Sequence, residues 1–326
     1  MKVCILSGGT GAPKLIQGLK EILPEEDISV IVNTGEDTMV GDLYLSPDVD
    51  TVLYTLSNQI NEDTWYGVKG DTFIAHNTIK EFENKENNTF GENLRIGDKD
   101  RALKMHKTHY INKGYPLSKI IKMEKELFGI KANIFPMTDD IVRTKILINE
   151  NNNKYLIDFH DFWINRRGNA TVVDIFYENS NYAGAPSKTI ECIKNSDIII
   201  IGPSNPITSI APILSIKDIK DTIIESNKPV VAVSPIIGEG AVSGPAGILM
   251  KAKGYPVSAE GVCKFYNDLG ININTMILDN IDKNKDFELK VNSCDSNTAV
   301  AYTNTIMKTI EDKINLAKFI VNLRTI

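Results

Sequence analysis

Residues 3–6 are a short apolar run that empties straight into Ser7-Gly8-Gly9-Thr10-Gly11, with a helix expected to start near Pro13. This junction constrains the fold more than any other stretch, because it joins a buried strand to a glycine-rich turn and then to a helix. Glycine lets main-chain N–H groups approach an anion closely, and a helix N-terminus adds its partial positive charge. Pro13 suits a first helical turn, where its missing N–H has no partner to lose. Gly8, Gly9, Thr10, Gly11 and Lys14 are therefore candidate phosphate-binding residues. The turn is neither GxGxxG nor GxxxxGK[ST], so it names no cofactor. A strand-to-helix turn that holds nothing is the alternative.

The same unit recurs. Residues 28–32 read as a second strand, followed by the polar loop Asn33-Thr34-Gly35-Glu36-Asp37. Four consecutive isoleucines at 198–201 mark a strand buried on both faces, and Gly202-Pro203-Ser204-Asn205-Pro206 follows. Residues 230–233 lead into a Gly-, Ser- and Pro-rich loop over 234–247, residues 276–278 make a last short strand, and 309–323 a closing helix. In open α/β sheets ligands sit beyond the carboxyl ends of the strands, where all these turns fall. The fold class expected is α/β: a Rossmann-like, doubly wound, mostly parallel sheet with an inserted mixed α+β domain. Residues 1–58 and 187–326 form the nucleotide- and phosphate-binding core, and 59–186 a capping insertion. Within that insertion 65–93 are aromatic and amide-rich, ending in an exposed loop over 84–93. Helices are predicted at 98–114 and 117–128. Strands at 133–135, 142–149, 154–159 and 171–177, with a turn at 150–153, give the insertion its own small sheet.

Ser204 and Asn205, held between two prolines, offer hydroxyl, amide and backbone donors to a phosphate, ribose or base; an Asx turn capping the next helix is the equal alternative. Ser243-Gly244-Pro245-Ala246-Gly247 is another nest of donors. In Ser46-Pro47-Asp48-Val49-Asp50, Ser46 reads as an N-cap and Pro47 as the first helical residue. Asp48 and Asp50 are hard oxygen ligands suited to magnesium or to base catalysis, although the helix dipole alone also favours carboxylates there. Glu36 and Asp37 could join them or contact ribose. Asp139 and Asp140 either cap a turn or form a like-charged catalytic pair. Arg95, between Leu94 and Ile96, is the least solvated cation of its charge run, and Trp65, Tyr66 and Trp163 could stack on a flat ring or pack the core. His106 and His109 read as an ordinary helix surface.

The net charge of −6 over 326 residues argues against a nucleic-acid surface. Cys4, Cys192, Cys263 and Cys294 lack zinc spacing, and the first two read as buried thiols. No signal peptide precedes the first strand and no apolar run reaches membrane length, so a cytoplasmic location is expected. A nicotinamide-dependent oxidoreductase would need a GxGxxG-like turn, which this chain lacks.

Seven strings together resemble a family: 7–15, 46–52, Gly70-Asp71-Thr72-Phe73, Gly97-Asp98-Lys99-Asp100, Pro136-Met137-Thr138-Asp139-Asp140, 202–206 and Ser234-Pro235-Ile236-Ile237. In this order they are similar to 2-phospho-L-lactate transferase, the archaeal CofD-like family of coenzyme F-420 biosynthesis. The segment 83–93 is longer and richer in asparagine than the family's. The resemblance implies transfer of a phospho-lactyl or phospho-enolpyruvyl group from a guanosine-diphosphate-activated form to the ribityl hydroxyl of 7,8-didemethyl-8-hydroxy-5-deazariboflavin, with release of GMP. It implies Mg2+, a homodimer and deazaflavin contacts from Asp50 and Arg95; read from the residues, Asp48 or Asp50 would hold the metal, and Asp50 is the candidate catalytic residue, to orient or deprotonate the attacking hydroxyl. The alternative is a nucleotide-sugar-binding regulator of a related cytoplasmic family, which usually lacks the Ser-Pro-Asp-x-Asp string.

Overall fold

In the computed structural model, which describes residues 1–86, 94–238, 240–283 and 298–323, the centre is a sheet of seven parallel strands. β1 (Val3–Ser7) runs into α1 (Gly11–Lys20), and β2 (Ile28–Val32) follows. A hairpin of β3 (Thr38–Val40) and β4 (Leu43–Leu45) precedes α2 (Pro47–Leu56), α3 (Ile74–Glu86), α4 (Asp98–Asn112) and α5 (Leu117–Leu127). β5 (Asn133–Pro136) then returns to the main sheet. An antiparallel trio follows: β6 (Arg143–Glu150), β7 (Asn153–Asp158) and β8 (Thr171–Glu178), in the order β7-β6-β8. The core resumes with β9 (Ile198–Ile201) and β10 (Val230–Val233), a two-residue hairpin β11 (Ile236–Ile237) and β12 (Gly240–Ala241), then β13 (Thr275–Asp279), β14 (Ala299–Thr303) and the closing helix Ile310–Asn322.

The main sheet runs β14-β13-β10-β9-β1-β2-β5. Counted along the chain within this sheet, that is the Rossmann order 3-2-1-4-5-6 extended by one strand, with its switch point between β1 and β9. The expected doubly wound sheet is therefore present. Its strands carry no polar alternation because both faces are covered. Val3 and Ile5 pack with α1, α2, α5 and the closing helix, whereas Cys4 and Leu6 pack on the opposite face with Ile193, Ile219 and Leu249. Each isoleucine of β9 is at most 5% exposed, and burying each contributes roughly 1.5–3 kcal/mol.

Several expectations change. The strand at 133–135, assigned above to the small sheet of the insertion, is the edge of the main sheet, pairing parallel to β2. Its short apolar run could not reveal which sheet it joins. Ile134 and the α5 residues Leu117 and Ile121 share the core that anchors it there. Residues 84–86 are helical rather than loop, since α3 continues to Glu86; 87–93 lie outside the described residues. β3, β4 and β14 were not anticipated, being three to five residues long with little pattern. Cys4 is buried, Cys192 only partly so, and their sulfurs lie 3.8 Å apart; Cys294 lies outside the described residues. Among the described residues no helix is long and apolar enough to cross a membrane.

Candidate active site

The polar turns expected to converge do converge. Gly9, Thr10, Gly11 and Lys14 after β1, Ser204 and Asn205 after β9, and Ser243 to Ala246 after β10 line one cavity of about 480 Å³. A further tip, Thr305 to Lys308 after β14, lines it too and was not anticipated. The close approach of two tips explains the glycines. Gly9 has φ +59°, and a Cβ on Gly11 would lie 1.8 Å from the Pro203 carbonyl oxygen. Gly8 lies beneath the turn, where a Cβ would meet Ser209 and Asp48.

Ser204 is spent on holding the tips together. Its hydroxyl donates to the Gly8 carbonyl (2.6 Å) and accepts from the Ala12 N–H (3.3 Å). Asn205 meets both of its readings. Its Oδ1 accepts from the Ile207 N–H and caps the following helical turn, while its buried Nδ2 has no partner among the described residues. That amide is available to a bound oxygen. Lys14 lies 5.0 Å from the Trp65 ring, and its ammonium is pushed below the ordinary lysine value by burial and by Lys313. Trp65 itself is core, covered also by Lys313 at 4.5 Å, so it walls no ring. Trp163 lines this same larger cavity.

A second cavity, of about 240 Å³, lies beside the first turn of α2 and is lined by Asp50, Tyr54, Tyr66, Phe73, Arg95, Asp100 and Lys104 among others. Arg95 and Tyr66 thus line the same cavity as Asp50. Arg95 is exposed rather than shielded, its guanidinium 3.9 Å from the centre of the Phe73 ring.

The first turn of α2 lines the second cavity through Pro47, Asp50 and Thr51. Ser46 sits at its N-cap but turns its hydroxyl to Asp37 Oδ2 (2.7 Å) instead of the helix, while Tyr44 donates to the same oxygen. Asp37 Oδ1 is buried without a partner, and burial raises this carboxyl to about 7. Residues two apart on a helix point in different directions. Accordingly Asp48 turns to the glycine turn after β1, accepting from the Gly9 N–H (2.8 Å) and from Asn33 Nδ2 (2.9 Å). Burial lifts Asp48 to about 6 despite those two bonds. Glu36, on the wall of the larger cavity, is raised by burial and by the charge of Asp48. Asp50 turns the other way, to Lys107 Nζ (2.6 Å) and Lys104 Nζ (2.9 Å). Burial would raise the Asp50 carboxyl, but the two ammoniums outweigh it and hold it below the ordinary aspartate value.

The two lysines escaped sequence reading because α4 is strongly polar overall. The available signal was spacing: Asp100, Leu103, Lys104 and Lys107 form its buried face. Elsewhere the aspartate pair and the histidines are taken up in structural contacts, though not those expected: Asp139 holds the start of α5 rather than a turn before Val142. Asp139 accepts from the Ser118 N–H and hydroxyl at the start of α5, and Asp140 from the Gly184 N–H. His106 faces Glu124 at 3.4 Å, and His109 packs on Tyr110. Among the described residues no three His, Cys, Asp or Glu side chains gather into a metal cage.

A profile of the family described as "2-phospho-L-lactate transferase CofD" matches residues 3–315. Relatives called 2-phospho-L-lactate transferase include one from Methanococcus maripaludis strain S2, 60% identical over 99% of this chain and 98% of its own length. Another, from Methanocaldococcus jannaschii, is 56% identical over 98% and 97%. A crystal structure of a UPF0052 family protein from Bacillus halodurans superposes with a TM-score of 0.66, covering 98% of each chain at 14% identity. At that identity the likeness is one of fold.

Proposed function

Since the chain belongs to the CofD family of 2-phospho-L-lactate transferases, and is thereby a transferase of coenzyme F-420 biosynthesis, we propose that its two cavities hold the two substrates on either side of the α2 N-terminus. The larger cavity takes the guanosine-diphosphate-activated lactate or enolpyruvate. The smaller takes 7,8-didemethyl-8-hydroxy-5-deazariboflavin. One observation carries this reading: a single helical turn sends Asp48 to the phosphate-binding turn and Asp50 to the cavity lined by Arg95 and Tyr66.

The chemistry follows from that division. The ribityl hydroxyl attacks the phosphorus that carries the acid, the P–O bond to the GMP phosphate breaks, and GMP leaves. Transfer of this kind depends on positioning and charge neutralisation more than on covalent catalysis. The N–H groups of Thr10 and Gly11, the Asn205 amide and Lys14 bind the diphosphate, with the Gly9 N–H held by Asp48 beneath them. Glu36 and Asp48, two carboxylates raised chiefly by burial, with the charge of Asp48 adding to the rise of Glu36, fit a divalent cation, and Asp37 keeps an unpartnered oxygen nearby in sequence. Asp50 fits one less well, because both its oxygens already face ammoniums. Magnesium held by Glu36 and Asp48 would neutralise charge on the diphosphate. Asp50, kept ionised, accepts the hydrogen bond of the attacking hydroxyl and orients it. The guanidinium of Arg95, stacked on Phe73, packs against the deazaflavin. The family also implies a homodimer in the cytoplasm, and we extend the reading to both.

Purified protein given both substrates should release GMP only when magnesium is present, read by chromatography of the nucleotide products. No GMP under those conditions would refute the assignment. Arg95→Ala should raise the deazaflavin KM roughly tenfold, the scale of a desolvated cation–π contact, with the KM of the activated phospho-acid unchanged. Equal changes in both constants would remove Arg95 from the deazaflavin cavity.

A further inference from the structure

We infer that Lys104 is a positioning residue of the transfer reaction, one that locks the Asp50 carboxylate in the orientation the attacking hydroxyl needs. The inference rests on the deazaflavin occupying the smaller cavity. Lys104 donates to Asp50 Oδ2 at 2.9 Å and forms a short ion pair with Asp100. Lys107 takes the other oxygen, Oδ1, at 2.6 Å. With one ammonium on each oxygen, the carboxylate cannot rotate without breaking an ion pair.

The two lysines do different work. Lys107 is wholly buried and its second partner, Glu124 at 3.5 Å, lies on α5, so it anchors Asp50 from behind. Lys104 belongs to the cavity wall itself, together with Asp100 and Tyr54. A continuous set of bonds holds it there. Asp71 accepts from the Asp100 N–H (3.0 Å) and the Lys99 N–H (2.9 Å), which fixes the first turn of α4. The Tyr54 hydroxyl donates to Asp100 Oδ1 at 2.5 Å, tying α2 to α4. The loop carrying Asp71, the first turn of α4 and the helix carrying Asp50 thus meet at Asp100, whose carboxylate also holds Lys104 against Asp50. An ion pair placed only for stability has no need to reach the cavity surface, and Lys107 already neutralises Asp50.

The test is steady-state kinetics and thermal melting of Lys104→Met and Lys104→Gln beside Asp50→Asn. A misplaced reacting group costs up to about a hundredfold, so kcat should fall at least tenfold in both Lys104 variants, with the KM of the activated phospho-acid within about twofold of the parent. Gln keeps a hydrogen-bond donor, so any partial recovery should appear there; it also serves if the Met variant does not fold. Parent-like kcat in a folded Lys104 variant, with Asp50→Asn impaired, overturns the role of Lys104 and leaves the cavity assignment standing. Parent-like kinetics in Asp50→Asn and Arg95→Ala as well would instead overturn the assignment on which the inference rests. A lowered melting temperature with unchanged kcat would make Lys104 structural only.

Discussion

Gly11→Ala should abolish tight nucleotide binding and lower the melting temperature by several degrees. The added methyl would lie 1.8 Å from the Pro203 carbonyl oxygen, which is backbone and cannot swing aside as a side chain would. Either the turn after β1 or the turn after β9 must withdraw. Overpacking of this sort costs about 1–3 kcal/mol, sometimes more. In a large domain each kcal/mol shifts the melting temperature by about 2–4 °C. Withdrawal would also strain the Ser204 bonds to Gly8 and Ala12 and move the Asn205 amide away from the glycine turn. Calorimetric titration with GDP should then show affinity reduced by at least about tenfold, one lost charge-assisted hydrogen bond being sufficient for that. Parent-like melting and GDP affinity would show that the two turns do not jointly form the phosphate site.

Asp50→Asn is expected to slow turnover by at least tenfold, and by about a hundredfold or more if Asp50 also takes the proton. Unlike a surface change, it should also cost stability. Breaking a buried ion pair typically costs about 3–5 kcal/mol because the partner charge is left behind. Here the loss should be smaller. Lys104 retains Asp100, and Lys107 retains Glu124, whose carboxyl is raised by burial and by the charge of Asp50. Removing Asp50 therefore eases ionisation of Glu124, which then compensates Lys107. Turnover must be measured per folded molecule, at a temperature where circular dichroism shows the parent spectrum. Wild-type kcat under those conditions would exclude Asp50 from the reaction.

How much of this was legible beforehand depended on whether a residue's role is local. Strand-to-glycine-turn junctions are local: apolar runs bounded by Gly, Ser and Asn mark β1, β9 and β10, and the Rossmann rule places their carboxyl ends at a ligand. The N-cap at Ser46 was visible, but its hydroxyl serves Asp37, nine residues earlier in the chain. Trp65 read equally as a ring platform or as core, and two lysines, from α1 and the closing helix, made it core. The strand β5 was recognisable as a strand while its sheet was not, because pairing is decided by what packs over it.

Periodicity and turn chemistry thus established the parallel sheet, the glycine-rich turn after β1 and the helical turn bearing two aspartates, since each depends on residues adjacent along the chain. The opposite directions of Asp48 and Asp50, and the two ammoniums that hold Asp50 ionised, came only with the tertiary packing around α2. Lys104 and Lys107 lie 54 and 57 residues from their carboxylate. Charge compensation in a buried site acts through space, and spatial neighbours this far apart in sequence leave no local mark.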